Sequence, residues 1–297
     1  MGRGSDHRCW AGRRRSGALA SPVMATAVIL VPEAVVHVHA IVNFLQDDVS
    51  AVTARSFQST MTKFQQNALL LTVAWLVAVA VRFRRSTVVL VGGLIAIGLY
   101  TLMAIAYDGV TLNELGLSTT NSWLMTLGFA TVWWGLMFAY SPVADWIATR
   151  IVTKPPNLKI FRAIQESRIK LIAGIVVAWA LGGILEEMVF RGIVLKSIES
   201  LLSGWMIEPF AVAIAICAAA NGAGIIHLYQ GTRAVIIIIQ LSVLFGLLFA
   251  LSGFNLWSVI FCHGLYDTVA FIRFANKKSR YSDLDNDSHR NEQSTGS

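Results

Sequence analysis

Long apolar stretches separated by short polar joints dominate the chain. Those at about 67–81, 86–107 and 122–141 each approach the ~20 residues an α-helix needs to cross a bilayer core. An earlier stretch, 23–45, is weakened by Pro32, Glu33, His37 and His39. A longer one starts near Leu171 and runs towards Leu202, and three more fall at about 208–228, 234–252 and 254–274. At ~1.5 Å per residue the 171–202 helix outruns the hydrocarbon core, so it must tilt, bend or project. The pattern predicts an all-α protein: a polytopic transmembrane helix bundle of about eight spans.

Composition agrees. The chain is 55% apolar and 14% charged with a mean hydropathy of +0.61, whereas a soluble domain carries ~25% charged residues. In a soluble protein a net charge of +7 would suggest nucleic acid. Here the basic residues sit in short loops and tails, so they report topology and no nucleic-acid partner is expected. With alternating spans, the leader, 82–85, 145–170, Arg233 and the segment from 273 hold 20 of the 24 Lys and Arg residues. The opposite side holds Arg55, Lys63 and Lys196, and Arg191 lies within a span. Both termini are therefore predicted to be cytoplasmic.

Residues 1–23 read as a basic disordered leader, with Met24 as an alternative start and a secretory signal as the alternative reading of leader plus apolar run. Residues 24–165 hold the N-terminal spans and a basic loop broken by Pro155 and Pro156. Residues 166–275 hold the spans with the candidate chemistry, and 276–297 a polar tail expected to be disordered. Cys9, Cys217 and Cys262 form no paired motif, so neither a disulfide framework nor a thiolate metal site is indicated. No internal repeat is visible.

Within the long helix stands Glu186-Glu187-Met188-Val189-Phe190-Arg191. A charge near a bilayer centre costs roughly 2.5–3.5 kcal/mol or more, so three in six residues require a reason. Glu187 and Arg191 are four apart and can neutralise each other as a structural ion pair. Glu186, about 100° round the helix, is then left over as a candidate general base. Two later spans add His227, closing a stretch of small residues, and His263 with Asp267 four positions on, hence on one face. A plain interhelical ion-pair cluster is the competing reading of the same residues.

The series Glu186-Glu187-x-x-x-Arg191, His227 at a helix end and His263-x-x-x-Asp267 resembles the CPBP family of intramembrane proteases, which includes Rce1-type CAAX prenyl endopeptidases and bacterial bacteriocin-processing or immunity relatives. The likeness covers about 170–270, and Phe190-Arg191-Gly192 and His227-Leu228-Tyr229-Gln230-Gly231 share it. Two positions depart from it: Ala223 stands where the second motif has Phe, and Asp267 is the variant of a more usual Asn. The resemblance implies that Glu186 and His227 hold and activate a water while His263 and residue 267 face the substrate carbonyl. Because an ionised Asp267 cannot donate to an oxyanion, it is expected to accept from His263 and keep that ring oriented and protonated.

No cofactor is expected, but Glu186, His227 and His263 are an alternative zinc-ligand set with an open position. The His-Glu-x-x-His signature of common zinc proteases is absent from the sequence. The expected partner is a peptide or membrane-protein substrate within the lipid bilayer, and the short loops and Ala/Val-rich spans read as a bacterial plasma membrane protein. Alternatives are a non-catalytic scaffold or bacteriocin-immunity protein on the same fold, and a small transporter, for which inverted symmetry is not evident. Counted from the flanking turns, His263 lies about two helical turns away from the depth shared by Glu186 and His227. Closure of the site therefore requires a tilted, offset or interrupted helix, with Gly222 and Gly224 the expected place.

Overall fold

A computed structural model describes residues 61–83, 86–118 and 122–294, all within the unit Arg55–Ser297. The basic leader and the expected first span at 23–45 lie outside the described residues. Within them the structure is helical, with no strand.

Helix α1 (Lys63–Ala78, continued by a π turn over Val79–Phe83) opens on a reciprocal cap. Thr62 Oγ1 accepts from the Gln65 amide at 3.2 Å and Gln65 Oε1 from the Thr62 amide at 3.0 Å. Helix α2 (Thr87–Tyr107), α3 (Trp123–Ile151) and α4 (Arg168–Ser203) each start on a serine, Ser86, Ser122 and Ser167. Each hydroxyl accepts from the amide three residues on, satisfying an otherwise orphaned donor where the chain enters the apolar layer. Between α3 and α4, a 3₁₀ turn (Lys159–Gln165) forms in the basic loop and buries Ile164. Helix α5 (Glu208–Ile226) carries Pro209 in its first turn, where no amide is needed. After a short 3₁₀ turn (Leu228–Gln230) come α6 (Thr232–Leu251) and α7 (Leu256–Ser294).

Among the described residues, six helices, α1 to α6, are long and apolar enough to cross a membrane. Large apolar side chains such as Leu124, Val132, Ile172, Phe210 and Leu251 point outward, as a lipid-facing surface requires. The expected span ending at 141 extends to Ile151, because Pro142 is accommodated inside α3. Neighbouring helices at a bundle's centre can answer the carbonyl that a proline frees. The eighth expected span, 254–274, is the start of α7, which is not among the six and carries His263, Asp267 and Arg273. The tail expected to be disordered from 276 continues that helix to Ser294, since no Gly or Pro interrupts the backbone after Gly264.

Helix α4 is the centre of the bundle. It is α-helical over Arg168–Ala178 and Lys196–Ser203, with wide π turns over Trp179–Glu186 and Met188–Leu195. Every residue from Met188 to Leu195 is buried, packed by α1, α2, α5, α6 and α7. The polar-looking joint at 113–117 also contributes to the core, with Leu115 fully buried. There Gly116, at φ +74°, presents its carbonyl to the Leu256 amide at 2.8 Å. A Cβ at that position would lie 2.3 Å from the Phe254 carbonyl oxygen.

Gly116→Ala is therefore expected to cost at least the ~1–3 kcal/mol of a non-glycine residue held in this conformation. The measurement is thermal or denaturant unfolding of the detergent-solubilised protein. An unchanged midpoint would contradict this account of the joint.

Candidate active site

Glu187 and Arg191 are the most deeply buried charges described, at 0% and 1% exposure. Arg191 Nη1 donates to Glu187 Oε1 at 3.1 Å, while Nη2 donates to the carbonyl and the hydroxyl of Ser242 on α6 at 2.8 and 2.6 Å. Its guanidinium also lies 5.4 Å from the Phe245 ring centroid. One arginine thus neutralises its own helix and fastens α4 to α6. The planar donor fork of arginine suits such a junction better than the point charge of lysine.

The expected pair of Glu187 with Arg191 is present, and Glu187 has a second partner besides it. His263 Nδ1 donates to Glu187 Oε1 at 2.5 Å, whereas its Nε2 stands 3.5 Å from Asp267 Oδ2. The bond that orients the ring goes to Glu187, and Asp267 makes only the longer ionic contact. A carboxylate accepts from several directions at once, so Glu187 serves Arg191 and His263 together. Sequence spacing exposes only the partner on its own helix. Phe245 completes the holder, stacked on the His263 ring at 4.7 Å between centroids and 19° between planes.

Small residues allow α4 and α7 to approach this closely. A Cβ on Gly183 would lie 3.5 Å from the Ile260 carbonyl, and one on Gly264 would fall 2.4 Å from the Trp179 ring. Trp179 packs across that glycine and donates its Nε1–H to Thr268 Oγ1 at 3.0 Å. Gly182 borders the site itself: its Cβ would stand 3.1 Å from Asp267 Oδ2.

His227 is the C-terminal cap of α5, and its Nδ1 lies 2.8 Å from the Ala223 carbonyl oxygen. A carbonyl only accepts, so Nδ1 carries the proton and Nε2 is left free to accept one. The Tyr229 ring stacks on this imidazole at 5.9 Å and 27°. Ala223, where the resembling motif has an aromatic residue, is buried and supplies the orienting carbonyl.

Glu186 is the carboxylate left over. It is 8% exposed and accepts no hydrogen bond from the described residues, while His227 and His263 both lie within electrostatic range of it. Asp267, its side chain 25% exposed, lies in range of both histidines and is the more open side of the cluster. The structure thus brings Glu186, Glu187, Arg191, His227, His263 and Asp267 into one neighbourhood. The interruption that permits this is not at Gly222 and Gly224, since α5 is unbroken through Ile226. Those glycines make room for Phe190 and Ile239. The helix irregularity lies in the π turns of α4, where each turn takes in an extra residue and resets the phase and depth of the helix beyond it.

Compared with known families, residues 168–269 match the model described as type II CAAX prenyl endopeptidase Rce1-like. The match covers about a third of the chain, and that segment is similar to Rce1-like domains. No curated protein and no solved structure matches the chain. The Rce1-like segment contains every group of the cluster just described, while α1, α2 and α3 lie before it. Together with the six long apolar helices, it makes the chain an integral membrane protein.

The orienting bonds on the two histidines, to a carbonyl and a carboxylate, are of the kind that also support metal-bound imidazoles. Among the described residues, however, no group of three His, Cys, Asp or Glu side chains is placed to hold a metal ion. Sequence reasoning missed the bond from His263 to Glu187, the Tyr229 stack and the Gly182, Gly183 and Gly264 contact. The adjacent glycines of α4 and the single glycine beside His263 were the available signal, since small residues mark close helix approach.

Arg191→Ala would leave Glu187 buried with only His263 to answer it. A loss of about 3–5 kcal/mol is expected, as for a broken buried pair. Unfolding in mixed micelles measures it, and a change under ~1 kcal/mol would contradict the central role given to this arginine.

Proposed function

We propose that the chain is an intramembrane endopeptidase of the CAAX-protease type, hydrolysing a peptide bond in a membrane-associated peptide or protein with a water activated by Glu186 and His227. The observation that carries this reading is a buried carboxylate without a hydrogen-bonded partner, within range of two histidines whose rings are fixed by bonds at Nδ1. A group isolated in that way is available to take a proton, and the apolar surroundings strengthen each charge interaction it makes.

In the proposed reaction, Glu186 takes one proton from water as its oxygen attacks the carbonyl carbon, with His227 Nε2 accepting from the same water. His263 donates from Nε2 to the carbonyl oxygen as that atom gains charge. Collapse of the tetrahedral intermediate breaks the C–N bond, and the proton held by Glu186 passes to the leaving amine. Glu187 is a positioning residue, since it orients His263 and compensates Arg191. The basic-loop count supports eight spans with both termini cytoplasmic, and the short loops support a bacterial plasma membrane.

Glu186→Ala in purified protein reconstituted in vesicles is expected to lower kcat roughly 10²–10⁴-fold on a quenched-fluorescence CAAX or membrane-peptide substrate. Full retention of biological effect by this variant would favour a non-catalytic scaffold or immunity protein. Activity that survives prolonged strong chelation, in protein without stoichiometric metal, supports the glutamate mechanism. Loss on chelation with recovery on zinc supports the metal alternative.

His263→Ala is expected to lose nearly all activity, whereas Asp267→Asn keeps a substantial fraction because the ring remains held by Glu187. Side-by-side kcat/KM values check this pair. Equal and complete loss in both would refute the division of roles.

A further inference from the structure

We propose that Tyr229 is a second oxyanion donor of this site, placing its phenolic O–H beside His263 on the oxygen of the tetrahedral intermediate. The inference rests on the hydrolytic reading above and adds to it a residue that the reading did not use.

Donors free to face an oxyanion are few in this cluster. Acyl transfer is accelerated most by fixed donors aimed at the developing oxyanion, and more than one is the common arrangement. The Nδ1–H of His227 is spent on the Ala223 carbonyl, and that of His263 on Glu187. Arg191 directs both Nη groups at Glu187 and Ser242, and its unpartnered Nε is enclosed with the rest of a side chain that is 1% exposed. Asp267, when ionised, only accepts. His263 Nε2–H, which has only the 3.5 Å ionic contact to Asp267 Oδ2, is therefore the one imidazole donor available for the oxyanion while His227 accepts from water.

Tyr229 has the features the second position needs. It follows α5 directly, half-buried, with its ring fixed against His227 by stacking, and Glu186 and Asp267 both lie within its electrostatic range. Its phenolic oxygen accepts from Gln230 Nε2 at 2.8 Å, which leaves the hydroxyl proton free, and no described residue accepts that proton. A donor that is itself hydrogen-bonded as an acceptor is polarised and becomes the stronger donor. Burial pushes the phenol up from its ordinary value, so it remains an O–H near neutral pH.

The turn carrying Tyr229 is fixed rather than loose. Gln230 is buried, and its carbonyl accepts from the Asn157 amide at 2.8 Å. Gly231 then turns at φ +95°, a conformation that excludes most side chains, and α6 begins at Thr232. Both the 3₁₀ turn and the 3.1 Å and 2.7 Å hydrogen bonds of Arg233 to Asp145 on α3 hold this corner of the bundle. Such anchoring suits preorganisation, in which a donor is in place before charge develops.

The test uses the full-length protein in vesicles and the quenched-fluorescence peptide that the wild type cleaves fastest. Tyr229→Phe keeps the ring stacked on His227 and removes only the hydroxyl. The expected result is a kcat lower by roughly 10²-fold with KM little changed, the usual cost of one oxyanion donor. A phosphonate mimic of the tetrahedral intermediate should lose affinity in parallel, while an uncleaved ground-state peptide should not. Gln230→Met, which leaves the phenol but removes its polarising donor, should give a smaller loss of roughly 2–10-fold. A Tyr229→Phe enzyme with kcat within about twofold of wild type overturns the proposal, as does an equal loss of phosphonate and ground-state affinity. Glu186→Ala in the same assay separates the two failures. If it loses activity while Tyr229→Phe does not, only the role of Tyr229 falls. If Glu186→Ala is fully active, or wild type cleaves no peptide offered, the hydrolytic reading falls with it.

Discussion

A carboxylate and a guanidinium enclosed in an apolar helix bundle must answer each other, and the structure is arranged around that requirement. Glu187 and Arg191 are almost fully excluded from solvent and lie 3.1 Å apart. The desolvation of two such ions is only offset when the geometry is close and the remaining donors and acceptors are used. Arg191 gives its two Nη groups to Glu187 and Ser242, and Glu187 Oε1 also accepts from His263, while Glu187 Oε2 faces Arg191 Nη1 as an ion pair and neither it nor Arg191 Nε has a hydrogen bond of its own. The same neutralisation that makes α4 tolerable in the interior therefore ties it to α6 and α7.

This arrangement makes stability and site geometry one problem. His263 is held by Glu187 from one side and by Phe245 from its face, so its position depends on the packing of three helices. His227 is fixed differently, by the carbonyl one turn before it at the end of α5. Both rings have their Nδ1 atoms engaged, and the Nε2 of His263 keeps only a 3.5 Å ionic contact with Asp267. Glu186, adjacent to the neutralised Glu187, has no partner of that kind. Neighbouring positions in one helix thus have opposite settings: one carboxylate is held by Arg191 and His263 and the other accepts no hydrogen bond from the described residues.

Close backbone approach provides the remaining condition. Trp179 covers Gly264, and Gly182 and Gly183 face α7, so side chains on the two helices meet across a short gap. Elsewhere Gly116 lets a polar-looking joint reach the turn between α6 and α7, where Leu115 enters the core. In a bilayer, where apolar helices gain little from hiding from lipid, such contacts carry much of the packing specificity.

Much of this was legible in the chain alone, because lipid is a demanding solvent: runs of the right length must be helices, and charges inside them must have a reason. Glu186, Glu187, Arg191, His227, His263 and Asp267 could be named from their settings, and the Rce1-like segment was visible in its motifs. Spacing along a helix reveals partners three and four residues away, and so it paired Glu187 with Arg191 but not with His263. Nor could it foresee that Pro142 would be carried inside α3, or that the π turns of α4 rather than Gly222 and Gly224 would adjust the depth. The order of residues along the chain establishes which side chains are costly to bury and which helices must bury them. Which charge answers which is set by the packing of the helices, because it depends on the rotation and rise of one helix against another, and no periodicity within a single helix encodes it.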